Sequence, residues 1–168
     1  MTMLVAQADT MGGISMADAM TFIWHEAELL DRLDYLPWLE LWAQDGHYVV
    51  PIDRNDVPFA DRVNMAYDDA PMREARVRRL RSGLSMSSAP PARTIRTVSR
   101  FVAAAATDDS LTVRTAQHIV EFKYGRTLLL AADVTYQLIR DGEGLKLFDK
   151  IVQLIDSDDA QHGMGYLL

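Results

Sequence analysis

The second half of the chain consists of four long runs of strand-forming residues with very little sequence between them. They cover 94–106, 111–124, 127–140 and 145–156. The links between them are short and rich in turn-forming residues: 107–110, Gly125 and 141–144. Links of this length join antiparallel neighbours, whereas a parallel pair needs a crossover of about a dozen residues or more. The sequence therefore predicts an antiparallel meander.

Alternation along these runs predicts which side of the sheet is buried. One set in the third run should face the helices, and its members are Leu128, Leu130, Ala132, Val134, Tyr136 and Leu138. In the second run the apolar phase shifts from Leu111 and Val113 to Ala116, Val120, Phe122 and Tyr124. Because a slip of one residue exchanges the two faces, this shift predicts a β-bulge near Thr115 and Ala116. Bulges bend strands, so the sheet is expected to curve.

The first half of the chain is predicted to be mainly helical. Ser15, followed three residues later by Asp18, is typical of a helix start, and apolar residues then recur near helical spacing, which predicts a helix over 15–32. A second, short helix is expected after Asp34 and should end near Gln44. A third, arginine-rich helix is expected from Met72 to Leu80.

Two short strands are expected among these helices. The β-branched and aromatic run at 47–52 contains Pro51, which limits that strand to an edge of the sheet or places the proline at its end. A further strand is expected near 64–67 within a long loop. Helices followed by a curved antiparallel sheet indicate an α+β roll in which the sheet wraps around the N-terminal helices. We expect a flexible stretch over 1–13 and one domain over 14–168.

The absence of cysteine restricts the chemistry of the chain. A Rieske [2Fe–2S] cluster needs two cysteines and two histidines, so this chain cannot hold one by itself. Among the histidines, His25 is followed by Glu26 as in zinc proteases, but position 29 is Leu29. We therefore expect no metal site and no cofactor site in this chain. No apolar run approaches the roughly 20 residues that cross a bilayer, and no lysine or arginine precedes Arg32, so a cytoplasmic protein is expected.

Arginine is concentrated in the middle of the chain. The net charge is −7, which argues against nucleic acid as a partner, yet the stretch from Arg54 to Arg100 has ten arginines, no lysine and five acids. Arginine suits partly desolvated pairs with carboxylates, so a protein interface is one interpretation. Arginines paired within the chain, on a solvated helix face, are the other. The residues that we expect at or supporting an interface are Arg76, Arg79 and Arg93.

One pair of residues suggests acid–base chemistry. His118 and Asp133 lie on adjacent predicted strands, and such a pair inside a rolled sheet acts as general acid and base in some enzymes. Under this interpretation the chain is a free-standing isomerase or dehydratase with a cavity, and a tyrosine such as Tyr48 also takes part in the catalysis. The alternative is an ordinary hydrogen-bonded or solvent-facing pair. No serine lies in a Gly-x-Ser-x-Gly elbow, and the chain has no glycine-rich phosphate loop.

Several segments, in order, resemble the β subunits of Rieske aromatic-ring-hydroxylating dioxygenases. Glu26 to Asp31, Tyr35 to Leu39, Leu41 to Asp45 and His47 to Pro51 resemble the opening helices and first strand. Arg76-Val77-Arg78-Arg79-Leu80 is similar to the Arg-Val-x-Arg-Leu motif, and Pro91 to Ser99 is similar to the Pro-x-Ser-Arg-Thr-Arg-His region. Phe148 to Asp156 resembles the closing strand. The similarity covers roughly 20–157.

The resemblance implies a fold of the nuclear-transport-factor-2 (NTF2)-like, cystatin-like kind. It also implies a structural, non-catalytic small subunit of an α3β3 oxygenase, whose large α subunit carries the Rieske [2Fe–2S] cluster and a mononuclear Fe(II). NADH then supplies electrons through a reductase, often with a ferredoxin, for the dihydroxylation of an aromatic substrate. Besides the isomerase or dehydratase, a ligand-binding or purely structural dimer of the same fold remains an alternative.

Overall fold

The structure is a computed structural model that describes residues 13–83, 89–142, 144–159 and 163–168. The helices in these ranges are α1 (Met16–Asp31), α2 (Tyr35–Glu40) and α3 (Ala70–Arg81), with a short 3-10 turn at Phe59–Asp61. The strands are β1 (Trp42–Pro51), β2 (Asn64–Asp68), β3 (Arg93–Ala106), β4 (Ser110–Lys123), β5 (Arg126–Asp141) and β6 (Gly144–Leu154). No helix in this part of the chain is long and apolar enough to span a membrane.

The six strands form one sheet in the order β2-β1-β6-β5-β4-β3. Strands β3 to β6 pair antiparallel with their sequence neighbours, which confirms the predicted meander. Strand β1 extends the sheet by pairing parallel with β6, and β2 pairs antiparallel with β1 at the edge. The α+β class predicted from the sequence is confirmed.

Helix α1 begins where the sequence predicts. Ser15 adopts an extended conformation, and its hydroxyl accepts a hydrogen bond from the Asp18 backbone N–H at 3.1 Å. The helix then packs its apolar side against β3 and α2. Ile23 and Leu30 are fully buried on this side, so α1 fills the inner face of the sheet.

The second helix is shorter than predicted. It ends at Glu40, and Trp42 is already the first residue of β1, so the expected end near Gln44 is wrong. In the segment after Glu40, tertiary contacts outweigh the helical spacing of the apolar residues. The backbone N–H of Leu147 donates to the Leu41 carbonyl at 2.8 Å, which draws the chain into the sheet, and the Trp42 ring packs edge-on against Trp38.

The strand predicted over 47–52 lies within β1 except for its last residue, although β1 begins earlier, at Trp42. Pro51 is the last residue of β1, where its missing N–H removes no interior ladder bond. The strand expected near 64–67 is β2, and α3 occupies the expected arginine-rich segment. Residues 1–12 of the stretch expected to be flexible lie outside the described residues, and the one-domain assignment stays a prediction.

The prediction of a β-bulge in β4 is wrong, because the irregularity lies in the neighbouring strand β3. β4 pairs with β5 without a register shift, and its inner face continues through Thr115 and Gln117, which are buried although polar. The irregularity lies directly opposite, in β3, where Ser99 pairs with Ala116 but Val102 pairs with Arg114. The sequence shift in β4 therefore marks apolar residues that face outward and not a change of the buried face.

The inner face of β5 agrees with the prediction. Leu130, Ala132, Val134, Tyr136 and Leu138 are all buried against the helices. Leu128, which the alternation placed with them, lies at the end of the strand and is 38 % exposed. The core therefore lies between α1, α2 and the inner face of the sheet.

Candidate subunit interface

Four large apolar side chains lie next to one another on the outer face of the sheet. They are Ile95, Val120, Phe122 and Leu129, with 68, 44, 39 and 61 % of their surfaces exposed. Val120 pairs with Ile95 on one side and with Leu129 on the other, so three of them form a single cross-strand row. We call these four residues the outer patch. A contiguous apolar surface of this kind is typical of a protein contact, whereas single exposed apolar residues are common on any surface.

Arg93, one of the arginines expected at an interface, lies at the rim of the outer patch. It pairs with Phe122 across β3 and β4, and its guanidinium carbon lies 4.7 Å from the centre of the Phe122 ring. Cations stack on aromatic rings in this way, and the guanidinium keeps its donors available to a partner. An apolar centre with an arginine at its rim matches the composition of protein interfaces.

His118 and Asp133 also lie on the outer face, so the structure does not place this pair inside the roll. His118 pairs with Ala131, and Asp133 pairs with Ala116, which makes the two residues diagonal neighbours on an exposed surface. The Asp133 carboxylate accepts a hydrogen bond from the Arg100 guanidinium. That ion pair is more than half exposed, so its contribution to stability is small.

Arg100 adopts an unusual backbone conformation beside this pair. Its φ is +54°, in the left-handed region, at the point where β3 shifts its register. The shift turns the side chain toward β5, and the guanidinium also donates to the Thr115 carbonyl at 3.2 Å. The bulge therefore links three strands on the outer face of the sheet.

Two arginines of α3 are engaged within the chain. Arg73 is buried; its guanidinium donates to the Gly46 carbonyl and stacks on the Trp42 ring at 4.3 Å. Arg76 makes a two-pronged contact with the buried Asp68 carboxylate, one prong measuring 2.9 Å from Nη2 to Oδ1. The hydrogen bonds to Asp68 raise the pKa of Arg76. Arg76 thus follows the within-chain interpretation, in which it joins α3 to β2.

The inner face of the roll contains a fully buried ion pair. The Lys150 ammonium of β6 lies 2.7 Å from Glu26 Oε1 of α1, and both side chains are inaccessible to solvent. The same carboxylate oxygen accepts from Trp38 Nε1 at 2.8 Å. Burial lowers the pKa of Lys150, and the neighbouring Glu26 charge opposes that effect. The pair is therefore compensated inside the chain, in contrast to the outer patch.

The segment 163–168 closes the inner face near a second buried cation. Arg96 donates to the Asp31 carboxylate and to the Leu167 carbonyl. Lys150 donates to the Leu168 carbonyl at 2.8 Å, and the Leu168 N–H donates to the Tyr48 hydroxyl at 3.0 Å. Arg96, Lys150 and Tyr48 are therefore each engaged in hydrogen bonds within the chain.

Burial raises the pKa of each tyrosine around this interior. Burial raises the pKa of Tyr35 to about 12, and Arg96 partly offsets the effect. The pKa values of Tyr48 and Tyr136 rise for the same main reason, as does that of Tyr166, whose hydroxyl donates to Glu121 at 2.6 Å. These hydroxyls remain neutral near pH 7. Tyr48, considered for the alternative enzyme, is therefore a hydrogen-bonding group here and not a base.

The sequence predictions missed the outer patch. Its signal was present as the apolar phase of Val120 and Phe122, but that phase was interpreted as evidence of a bulge. The histidines and acids of the described residues form no group of three or more that would suit a metal ion.

Comparison with known proteins identifies the family. Residues 25–158 match the model of the ring hydroxylating beta subunit family. The chain is 28 % identical over 141 residues to the small oxygenase component of the p-cumate 2,3-dioxygenase system of Pseudomonas putida, covering 82 % of this chain and 77 % of that protein.

Solved structures agree. The crystal structure of the β subunit of benzoate 1,2-dioxygenase from Burkholderia mallei superposes with a TM-score of 0.73 at 25 % identity, covering 84 % of this chain and 91 % of that one. An NTF2-like protein with a cystatin-like fold from Novosphingobium aromaticivorans superposes with a TM-score of 0.57 at 15 % identity, covering 83 and 81 %. It supports the fold alone and confirms the predicted roll. The chain belongs to the ring hydroxylating beta subunit family.

Proposed function

We propose that this chain is the structural small subunit of a multicomponent aromatic-ring-hydroxylating dioxygenase and that it binds its large α subunit through the outer patch. The observation that carries the proposal is the apolar row Ile95–Val120–Leu129 with Arg93 at its rim. In a single chain this surface leaves apolar area in water. Association with a partner removes it, at about 25 cal/mol for each Å² buried.

The role assigned to each predicted arginine follows from its surroundings. Arg93 stands beside the outer patch, where an acidic or polar group of the α subunit can pair with it. Arg76 supports the fold through Asp68, and Arg79 lies on α3, which packs against α2, β1 and β2. Of the three, we assign Arg93 to the α-subunit contact.

In the assembly, the chemistry belongs to the α subunit. The α subunit holds the Rieske [2Fe–2S] cluster and the mononuclear Fe(II), and NADH supplies electrons through a reductase, with or without a ferredoxin. The product is the dihydroxylated form of an aromatic substrate. We propose an α3β3 hexamer in the cytoplasm, with this chain as a non-catalytic component. The relative from Pseudomonas putida is the small oxygenase component of a p-cumate dioxygenase system, which supports the role of this chain as a small oxygenase component.

Native mass spectrometry tests the proposal. The chain is expressed alone and together with its α subunit, and iron and acid-labile sulfide are measured in each purified species. We expect an assembly with equal numbers of the two chains, with all iron in the larger one. A stable, iron-free homo-oligomer that does not bind the α subunit would show that the proposed function is wrong.

A further inference from the structure

A cavity of about 280 Å³ opens between α3, β1, β2 and the closing segment 163–168. Its walls are mainly apolar or aromatic, with Met65, Leu80, Met164 and Tyr166 among them. Since a water molecule occupies about 30 Å³ in the liquid, the volume corresponds to about nine waters. A single ring with one polar substituent is of this size.

The cavity wall has a surplus positive charge. Arg76 and Arg79 both line it, and none of the described residues that line it has an acidic side chain. Arg76 is neutralised by Asp68, whose carboxylate is almost fully buried. Arg79 has no hydrogen bond or ion pair with a side chain among the described residues, and the residue is exposed on the last turn of α3. Arg79 thus lines the cavity without a side-chain partner in the described part of the chain.

The other polar groups at this cavity are already engaged. The Tyr48 hydroxyl accepts from the Leu168 N–H, and the Leu168 carbonyl accepts from Lys150. Of the charged residues described in this wall, Arg79 is the one left to pair with a ligand, and apolar walls contact the rest of the ligand's surface. Pockets of this composition bind a ligand through its body and orient it by a few polar contacts.

We propose that this cavity binds a small carboxylate with an apolar ring or branched body. The carboxylate pairs with Arg79, because a guanidinium matches the two oxygens of a carboxylate. The body lies against Met65, Leu80 and Met164. This site is separate from the outer patch, so the proposal stands or falls independently of the subunit function.

Methionine-methyl NMR on the full-length chain tests the site. The chain is titrated with cyclohexanecarboxylate and, separately, with the neutral cyclohexanecarboxamide. We expect the acid to shift the Met65 and Met164 methyl signals and to bind about tenfold or more tightly than the amide, since a charged hydrogen bond is lost in the amide. Arg79→Met should weaken binding of the acid about tenfold and remove the difference between the two probes.

Arg78→Met is the matched control, because Arg78 is exposed on the same turn but does not line the cavity. It should bind the acid as the unchanged chain does. The proposal fails if the acid leaves Met65 and Met164 unshifted, or if Arg79→Met binds it as well as the unchanged chain. It also fails if only the purified α subunit shifts these signals, because the cavity is then part of a protein contact.

Discussion

Each face of the sheet carries side chains whose polarity is unusual for their surroundings. The inner face buries Lys150 and Arg96, each paired with a carboxylate of α1. The outer face exposes Ile95 and Leu129 in one row. Each inner charge has an ion-pair partner within the chain, whereas the outer apolar side chains are exposed to solvent. The difference teaches that the interior specifies the fold and that the outer face is the part suited to a partner.

Breaking the inner ion pair should have the largest effect. Glu26→Leu leaves the Lys150 ammonium buried without its carboxylate, and we expect a loss of about 3–5 kcal/mol in the free energy of unfolding. Denaturant titration measures it. The double variant Glu26→Leu with Lys150→Met should lose less than the sum of the single changes. The exposed Glu28→Gln is the control, with a change within about 0.5 kcal/mol. A Glu26→Leu chain as stable as that control would contradict the account.

Placing a charge in the outer patch should weaken association and leave the isolated chain stable. Leu129→Asp puts a carboxylate within the proposed contact, so we expect the affinity for the α subunit to fall by about thirtyfold or more, corresponding to about 2 kcal/mol. Calorimetric titration with the α subunit measures this affinity. Asp108→Lys, in the exposed turn at the other end of the β3–β4 hairpin, should change it little. If the Leu129→Asp variant bound the α subunit with unchanged affinity, the outer patch would not be part of the interface.

Arg76 and Arg93 should respond in opposite ways. Arg76→Met leaves the buried Asp68 without its guanidinium, and we expect a loss of about 2 kcal/mol in the stability of the isolated chain. Arg93→Met removes only an exposed stacking contact, so stability should be nearly unchanged while affinity for the α subunit falls. Denaturation and binding are measured on both variants. Equal stability losses would show that the two arginines are not divided between fold and interface.

The buried tyrosines should make the chain sensitive to alkali. Because burial raises the pKa of Tyr35 from 10.0 to about 12 and raises those of Tyr48, Tyr136 and Tyr166, the folded state keeps protons that the unfolded state loses. The stabilisation is complete below pH 10 and is lost progressively as the pH rises above it. The lowered pKa of Lys150 contributes in the opposite direction: it destabilises the folded state at pH values below 10.5, the ordinary pKa of lysine. The denaturation midpoint should therefore be lower at pH 11 than at pH 9. A higher midpoint at pH 11 would contradict the burial of these hydroxyls.

The sequence predicted the fold well because the relevant signals are local. The Ser15 cap, the alternation of β5 and the short links of the meander each depend on neighbouring residues. The start of β1 at Trp42 was missed because it depends on pairing with β6, more than a hundred residues away. The outer patch was missed for a related reason. Val120 and Phe122 look like core residues until the polar Thr115 and Gln117 are seen to occupy the inner face.

The site residues likewise divide into features that the sequence shows and contacts that depend on the fold. Sequence reasoning predicted interface arginines in two segments, but a count of charges does not show which carboxylates fold back onto them. Asp68 engages Arg76 from the edge strand, and Asp133 is engaged by Arg100 from across the sheet. Such pairings are set by the topology of the sheet and by the bulge in β3. They became visible only when the strands were assembled.

The central claim is that the outer patch is covered by the α subunit, and thiol labelling tests it directly. The chain has no cysteine, so Ile95→Cys introduces a single reporter in this chain, and Asp108→Cys is its exposed control. The labelling of this chain by a maleimide is followed by mass spectrometry, free and in the assembly with the α subunit. The account predicts that assembly strongly slows labelling at position 95 and leaves position 108 nearly unchanged. Equal labelling rates at position 95 in the free and assembled chain would contradict it.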